Sequence, residues 1–363
     1  MSSRPSLTVR SLRVRAVRIP LPRPHSTAGG VVAEAPLVLV DLLTEEGIVG
    51  SSYVFCYTPL ALKPVAQLIA NLSEVVAGGS AAPAAIERTL QGRFRLLGPQ
   101  GLTGIAMAAI DMAAWDALAK ASGLPLVRLL GGEPRPVPVY DSLGMGGVEL
   151  AAREAETAAA AGFRAVKYKI GYPDVATDVA VVRAAKRAGG DGLVVMVDYN
   201  QSLSIPEAVR RGRVLDGESV GWIEEPTTAN DFAGHARIAH EVATPIQLGE
   251  NWWGTHDMAK SLTAGASDEV MVDAMKIGGV SGWLRAASLA EAAGLRLSSH
   301  LFAELSVHLL AVTPTADWLE YLDVASPILQ EPLRIEHGEA IASEAPGSGI
   351  AWNEEAVQRY LVE

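Results

Sequence analysis

The sequence predicts an α/β chain in which a closed parallel (β/α)₈ barrel follows a smaller α+β unit. Three observations carry that prediction. From Pro136 onward, short apolar runs recur at regular intervals: VPVYDS, AVKYKI, LVVMVDYN, GWIEEP, PIQLGE, EVMVDAM, LRLSSH and DWLEYL. Ala-rich amphipathic stretches such as AAREAETAAAAGF and IPEAVRRGRVLD separate them, and that alternation means a parallel sheet covered by helices. No GxGxxG turn follows the first run, which removes the usual reason to prefer an open sheet, and eight runs suit a closed ring.

The first 130 or so residues lack this rhythm. Strands are expected near 8–19, 36–43 and 48–54, the last two joined by the turn Glu45-Glu46-Gly47. Helices are expected over Leu60–Ala77, Ala82–Leu90 and Gly104–Ala121, the third stopping at Gly123 before Pro125. From about residue 336 no further strand–helix unit appears, and this tail is expected to pack back on the first domain.

At 363 residues, 49% hydrophobic and 20% charged, the chain can bury a large core and does not read as disordered. A formal net charge of −11 argues against a nucleic-acid footprint, which needs a basic face. An acidic protein that takes an acidic substrate needs local positive charge, which a bound cation can supply. The single cysteine, Cys56, excludes an intrachain disulfide and fits a reducing compartment. Arg4, Arg10, Arg13, Arg15 and Arg18 faintly resemble a transit peptide, but Leu12, Val14 and Ala16 alternate with Arg13 and Arg15 as in a half-buried strand. No apolar run reaches the roughly 18 residues of a membrane span. A soluble cytoplasmic protein is expected, with neither membrane nor nucleic acid as a partner.

The polar residues are placed with a period. Nearly every expected strand ends in an ionisable residue: Lys169, Asp198, Glu224, Glu250, Asp273, His300 and Glu320, separated by 29, 26, 26, 23, 27 and 20 residues. All strand C-termini of a parallel barrel share one rim, so these side chains converge on one mouth. Charges at the ends of apolar strands are costly unless paired or liganded. Asp198, Glu224 and Glu250 end consecutive strands. Each could sit beside a Lys or Arg, but three mutually repelling carboxylates call for a cation. Oxygen ligands without Cys or His suit Mg²⁺, with Mn²⁺ as a substitute, rather than Zn²⁺. Glu225 is expected to point elsewhere by strand alternation and to serve as a support.

Lys167 and Lys169 stand two apart and face one way while Tyr168 points away. Two ammonium groups beside a cation depress each other's pKa, which would leave Lys169 able to act as a base. Asp273 and His300 end adjacent strands and form a candidate Asp–His general base. His308 has no such context and reads as helix packing or surface. Glu320 has no obvious basic neighbour in sequence; at the rim it could be held protonated and donate a hydrogen bond to developing negative charge, with a plain structural acid as the alternative. Asn200, on the face of Asp198, is a candidate for contact with a substrate hydroxyl or carboxylate, and Ser142 in VPVYDS is a further substrate-binding candidate.

The series KYKIGYPD, MVDYNQS, WIEEPT, GENWWG, DAMKIGGVSGW, SSHLFAE and TADWLEYLD resembles the mandelate racemase branch of the enolase superfamily. The similarity extends to APLVLVDL, SSYVFCYTPLALK and MAAIDMAAWDALAK, and so over nearly the whole chain. It implies an α+β capping domain over residues 1–130, completed by about 336–363, and a modified (β/α)₇β barrel over 131–335. It also implies an octamer and a Mg²⁺ site on Asp198, Glu224 and Glu250. Magnesium with a Lys or His base is the general pattern of that superfamily. On this resemblance Lys169 takes the α-proton of one enantiomer and His300, with Asp273, that of the other. Lys167 orients the substrate carboxylate, and Glu320 and Asn200 assist as it becomes an enediolate.

The chain departs from the branch at the lid, about Pro20 to Val32. There PLPRPHSTAGGVV places His25 and Gly29 where bulkier apolar residues are expected, while Phe55 and Tyr57 keep aromatic character at the cap. Tyr168 also replaces a smaller residue. The expected activity is racemisation of a 2-hydroxy acid, mandelate or a similar aryl acid, because bases on both faces of one carbon are what inversion requires. An acid-sugar dehydratase is the first alternative and a non-catalytic metal-binding barrel the second. A metal-dependent hydrolase is disfavoured, since one acid triad without a histidine pair holds one metal.

Overall fold

The structure, a computed structural model, describes residues 6–27 and 30–362. Three antiparallel strands come first, β1 (Val9–Thr27), β2 (Gly30–Thr44) and β3 (Val49–Phe55), in the order β1-β2-β3. Against them pack α1 (Pro59–Val76) and α3 (Leu102–Ala121), and α2 (Pro83–Arg93) packs on those two helices. The side chain of Thr58 accepts from the Leu60 N–H to cap α1, and Pro59 in the first turn needs no donor partner. By length and composition α3 could cross a membrane, contrary to the expectation that no such run exists. Most of it is buried in the cap, the mark of a core helix. Its alanines let β3 approach closely: a Cβ on Gly50 would lie 1.9 Å from the Ala113 carbonyl oxygen, so only glycine fits.

After the short α4 (Leu126–Leu129), eight parallel strands form the barrel. They are β4 (Val137–Leu143), β5 (Ala165–Lys169), β6 (Val194–Asp198), β7 (Ile223–Glu224), β8 (Ile246–Leu248), β9 (Glu269–Asp273), β10 (Leu297–His300) and β11 (Leu319–Tyr321). Helices α5 (Gly147–Ala160), α6 (Val175–Gly189), α7 (Ile205–Leu215), α8 (Phe232–Glu241) and α9 (Thr255–Ala264) link the first six. Then α10 (Ala274–Ile277) with α11 (Gly279–Ala293), and α12 (Ala303–Val312), complete the connections. Strands β4 to β10 pair in sequence order, and β11 pairs with β4. The Asp317 and Ser299 N–H groups donate to Leu297 O and Trp318 O, each at 2.9 Å, and close the ring between β10 and β11. Only a 3₁₀ turn, Ser326–Ile328, follows β11, so the eighth unit lacks its helix and the barrel is (β/α)₇β. Tyr140, Ala165, Met196, Trp222 and Met271 fill its interior below the rim.

Two expected segments differ. The Pro20–Val32 stretch, read as a lid loop, is largely strand: β1 and β2 continue as a ribbon in which His25 faces Val32 and Thr27 faces Gly30. The register slips between Pro20 and His25, which is where the prolines fall. Gly29 lies outside the described residues. The tail from about 336 does not go straight to the cap. First β12 (Ile335–Glu336) and β13 (Glu339–Ala340) form a hairpin on β4. Beyond it Trp352 Nε1 donates to Asp41 Oδ1 at 2.7 Å, α13 (Glu354–Tyr360) lies against β1, and the Val362 N–H reaches Ala16 O at 2.8 Å.

Candidate active site

Strand register sets the rim. Lys169 pairs with Asp198 across β5 and β6, Asp198 with Glu224 across β6 and β7, and Asp273 with His300 across β9 and β10. Glu250 follows β8 through Gly249, whose φ of +134° and lack of a Cβ let the chain pass Met271; a Cβ there would lie 2.0 Å from the Met271 carbonyl oxygen. Among the described residues eight non-glycine residues have a positive φ; four of them, Tyr57, Asn200, Gln201 and Leu301, line the mouth, and Glu225 joins its acid cluster. Backbone strain of this kind persists where the surroundings hold it, and it gathers at functional sites.

Asp198, Glu224 and Glu250 are all buried, and one ligand oxygen from each lies within 4.8 Å of the others. Asp198 Oδ1 accepts the Asn200 N–H at 2.6 Å, and its Oδ2 meets the Lys169 ammonium. Lys167 Nζ bridges Glu224, at 2.8 Å, and Glu320, at 2.9 Å. Burial, then the charge of Asp198, pushes the Glu224 carboxyl well above its ordinary pKa. Glu250 Oε2 is a buried oxygen without a hydrogen-bond donor, although His300 Nε2 stands 3.2 Å away at ion-pair range. Asn200 Oδ1 is likewise buried without a donor. A crowded all-oxygen set with donor-free lone pairs fits a hard divalent cation.

The two base candidates differ in what holds them. Burial is the largest influence on the Lys169 pKa and pulls it down, but the carboxylates of Asp198, Glu224 and Glu250 together outweigh burial and Lys167, so the pKa stands above its ordinary value. The expected depression applies to the site with a cation beside the lysines. With the carboxylate charge taken up, only burial and Lys167 remain strong, and both lower it. His300 Nδ1 lies 2.7 Å from Asp273 Oδ2, which assigns the proton to Nδ1 and turns Nε2 to the mouth. Asp273 is itself fixed: its Oδ1 accepts the Met275 and Lys276 N–H groups at 2.8 and 3.0 Å, capping α10. Tyr57 OH adds a bond to Oδ2 at 3.3 Å.

Glu320 requires a correction. The expectation was a protonated donor; instead, against the effect of burial, Lys167 and His300 hold it below the usual carboxylate range. It accepts from Ser142 Oγ at 2.8 Å and the Leu301 N–H at 2.9 Å. Its basic partner, Lys167, comes from β5, two strands away through β4 and far off in sequence, out of reach of a sequence reading. Lys167, expected to orient the substrate, is fully buried and pairs with two acids below the cavity. Glu225, expected to point away, has a left-handed φ of 36° that returns it to the cluster, where Asn251 Nδ2 donates to it at 2.7 Å and to Glu250 at 3.0 Å. Lys276 reaches the same Asn251 and lies 4.4 Å from the Tyr57 ring centre. The sequence reading missed Asn251 and Lys276, although each follows a recognised rim acid by one to three residues. His308 is buried in α12, accepting the Val127 N–H at 3.2 Å, and burial holds its pKa down to about 4.

Above the acids lies a cavity of about 560 Å³. Lys169, Asn200, Glu250, His300 and Glu320 line it from the barrel, with Ser142 at its side. The cap supplies Leu21, Val32, Phe55, Tyr57, Ile105 and His25. Burial first, then the charge of Lys169, holds the His25 pKa down to about 3, so its imidazole is neutral; its Nε2 is buried without a partner.

A metal-ready acid cluster between two bases, at the mouth of a capped (β/α)₇β barrel, defines an enolase-type site. Residues 150–356 match the enolase C-terminal domain-like family, and residues 9–131 match the mandelate racemase / muconate lactonizing enzyme N-terminal domain; the chain belongs to this family. An enolase from Bradyrhizobium, solved with magnesium and mandelic acid, is 44% identical over the full length of both chains with a TM-score of 0.96. The 3,6-anhydro-alpha-L-galactonate cycloisomerase of Streptomyces coelicolor is 31% identical over 98% of this chain and 99% of its own. The L-talarate/galactarate dehydratase of Salmonella typhimurium is 34% identical over 72% of this chain, and that match spans 66% of the dehydratase.

Proposed function

We propose that this chain is a Mg²⁺-dependent racemase that inverts a 2-hydroxy carboxylate through an enediolate, with mandelate or a similar aryl acid as substrate. The observation that carries the reading is that Lys169 from β5 and His300 from β10 line one cavity from different sides, above the carboxylate of Glu250. Asp198, Glu224 and Glu250 would hold the cation, which supplies positive charge to the substrate carboxylate as the α-proton leaves. Lys169 Nζ takes the proton from one face of Cα and His300 Nε2 delivers one to the other; the reverse reaction exchanges their roles. Asp273 keeps His300 in the required tautomer, and Asn200, on the cavity wall beside Asp198, orients the carboxylate end. The apolar cap face supports an aryl or alkyl distal group over a polyhydroxylated one.

One observation favours a second reading. His25 offers a neutral, unpartnered imidazole to the cavity, as a hydroxyl-bearing substrate would need, and an acid-sugar dehydratase would use the same enolate with His300 protonating the departing hydroxyl. Incubation with Mg²⁺ in D₂O, with (R)- and (S)-mandelate and a set of aldonates followed by NMR, separates the two. Exchange with inversion of mandelate supports racemisation, and a 2-keto-3-deoxy product supports dehydration. Absence of α-exchange in every acid refutes both and leaves a non-catalytic barrel. The octamer is proposed on family membership, with sedimentation as its test.

A further inference from the structure

Two cavities meet at one indole. The substrate cavity and a second one of about 420 Å³, between α2 and α3 of the cap and α9 and α11 of the barrel, share the lining side chains Trp253 and Lys276. Lys276 is engaged, since its ammonium meets Asn251 Oδ1 at 2.5 Å and lies over Tyr57. The Trp253 backbone is anchored where its N–H donates to Asp257 Oδ2 at 3.1 Å, which fixes the loop after β8. Its indole is seated by packing: a Cβ on Gly104 at the start of α3 would lie at an ordinary contact distance of 3.7 Å from the ring, and the Lys276 ammonium stands 5.9 Å from the ring centre. The indole is therefore the removable part of the wall.

We propose that Trp253 sets the greatest length of substrate the cavity accepts, and that the space behind it is a preformed pocket for an uncharged, hydrogen-bonding chain end. This rests on the carboxylate-binding reading above. The second cavity offers Gln91, Gln100, Thr255 and His256. Its other cations already face acids, Lys260 with Asp257 at 3.0 Å and Arg285 with Glu87 at 2.7 Å. A second carboxylate would find Lys260 and Arg285 already paired with acids and Lys276 already held by Asn251 and the Tyr57 ring, whereas an amide or polyol end would find donors and acceptors.

The test uses carboxylates that lack an α-proton, so binding is read without turnover: 2-hydroxy-2-phenylpropanoate and derivatives bearing acylaminoalkyl chains of increasing length. Calorimetric titration with Mg²⁺ present gives dissociation constants for the wild type, Trp253→Ala and Trp253→Phe. The wild type should bind the parent and lose about tenfold or more with the longer chains. Trp253→Ala should bind the longer members at least about tenfold more tightly than the wild type does, with Trp253→Phe between. The same rank order in all three proteins overturns the partition. If Trp253→Ala does not fold, Trp253→Phe decides by whether the length limit shifts. Failure of the wild type to bind even the parent overturns the carboxylate reading itself, and the two failures are thereby distinct.

Discussion

On the barrel side of the cavity nearly every group is charged and tied to another: Lys169 to Asp198, Lys167 to Glu224 and Glu320, His300 to Asp273. On the cap side the groups are mostly apolar, and the one imidazole, His25, keeps a nitrogen without a partner. Strand ends of a closed ring can hold side chains in mutual register, which suits proton transfer. A ribbon and two loop ends cannot fix a network as tightly, but they can change shape between relatives without disturbing the ring. The difference separates reaction from recognition. Barrel variants should alter rate for every substrate, cap variants should alter which substrate is preferred, and variants of the joint between them should alter stability alone.

The largest effects belong to the bases. Lys169→Ala and His300→Asn should each lower racemisation by about three orders of magnitude, and each should retain α-exchange of one enantiomer only. A variant that loses both exchanges equally breaks the two-faced assignment. Stripping divalent cations with a chelator should abolish activity, and Mg²⁺ or Mn²⁺ should restore it; full activity after chelation, confirmed by elemental analysis, sinks the metal reading. Asp273→Asn should cost about a hundredfold in kcat with KM little changed, since it disturbs the imidazole's tautomer and leaves the cavity lining intact.

Smaller effects test the cap and the joint. His25→Phe should shift the preference between aryl and hydroxylated acids by about tenfold while keeping kcat for the best substrate within a few-fold. A uniform loss of rate would place His25 with the catalytic machinery. At the joint, Asp111 of α3 accepts the Ser281 N–H of α11 at 3.0 Å, and burial raises its pKa to about 7. Because the folded protein keeps that proton above the pH at which the unfolded chain releases it, Asp111 costs stability as pH rises from about 4 to 7. Asp111 also accepts from Ser281 Oγ; Asp111→Asn can still accept the Ser281 N–H and instead donate its amide to Ser281 Oγ, and it should flatten that slope by at most about 1.4 kcal/mol per pH unit. Thermal melts of both proteins from pH 4 to 8 measure it, and parallel curves would contradict it.

Much of the barrel was legible because period and position coincide in a parallel ring. Once Asp198, Glu224 and Glu250 end successive strands, their meeting follows from topology. What failed did so for physical reasons. Glu225 was misdirected by an alternation that ends with β7, since a left-handed φ has no signature in a Glu-Glu-Pro sequence. The charge of Glu320 depends on Lys167, two strands away through β4, a distance that no spacing rule encodes. The lid was expected as a loop from the resemblance alone, and its prolines do not exclude a strand at an edge. β1 is an edge strand, and the pairing slips where those prolines fall.

The crowding of carboxylates at the rim also bears on folding equilibrium. Glu224 and Glu225 are both driven well above the usual carboxyl range, by burial first and by acidic neighbours next. The native state is therefore working against its own charges where it is most organised. Any divalent cation that prefers the folded ring adds RT ln(1 + [L]/Kd) to its stability, about 2.7 kcal/mol at a hundred times Kd. Cation concentration is then a variable of how much of this protein is folded, as well as of how fast it works.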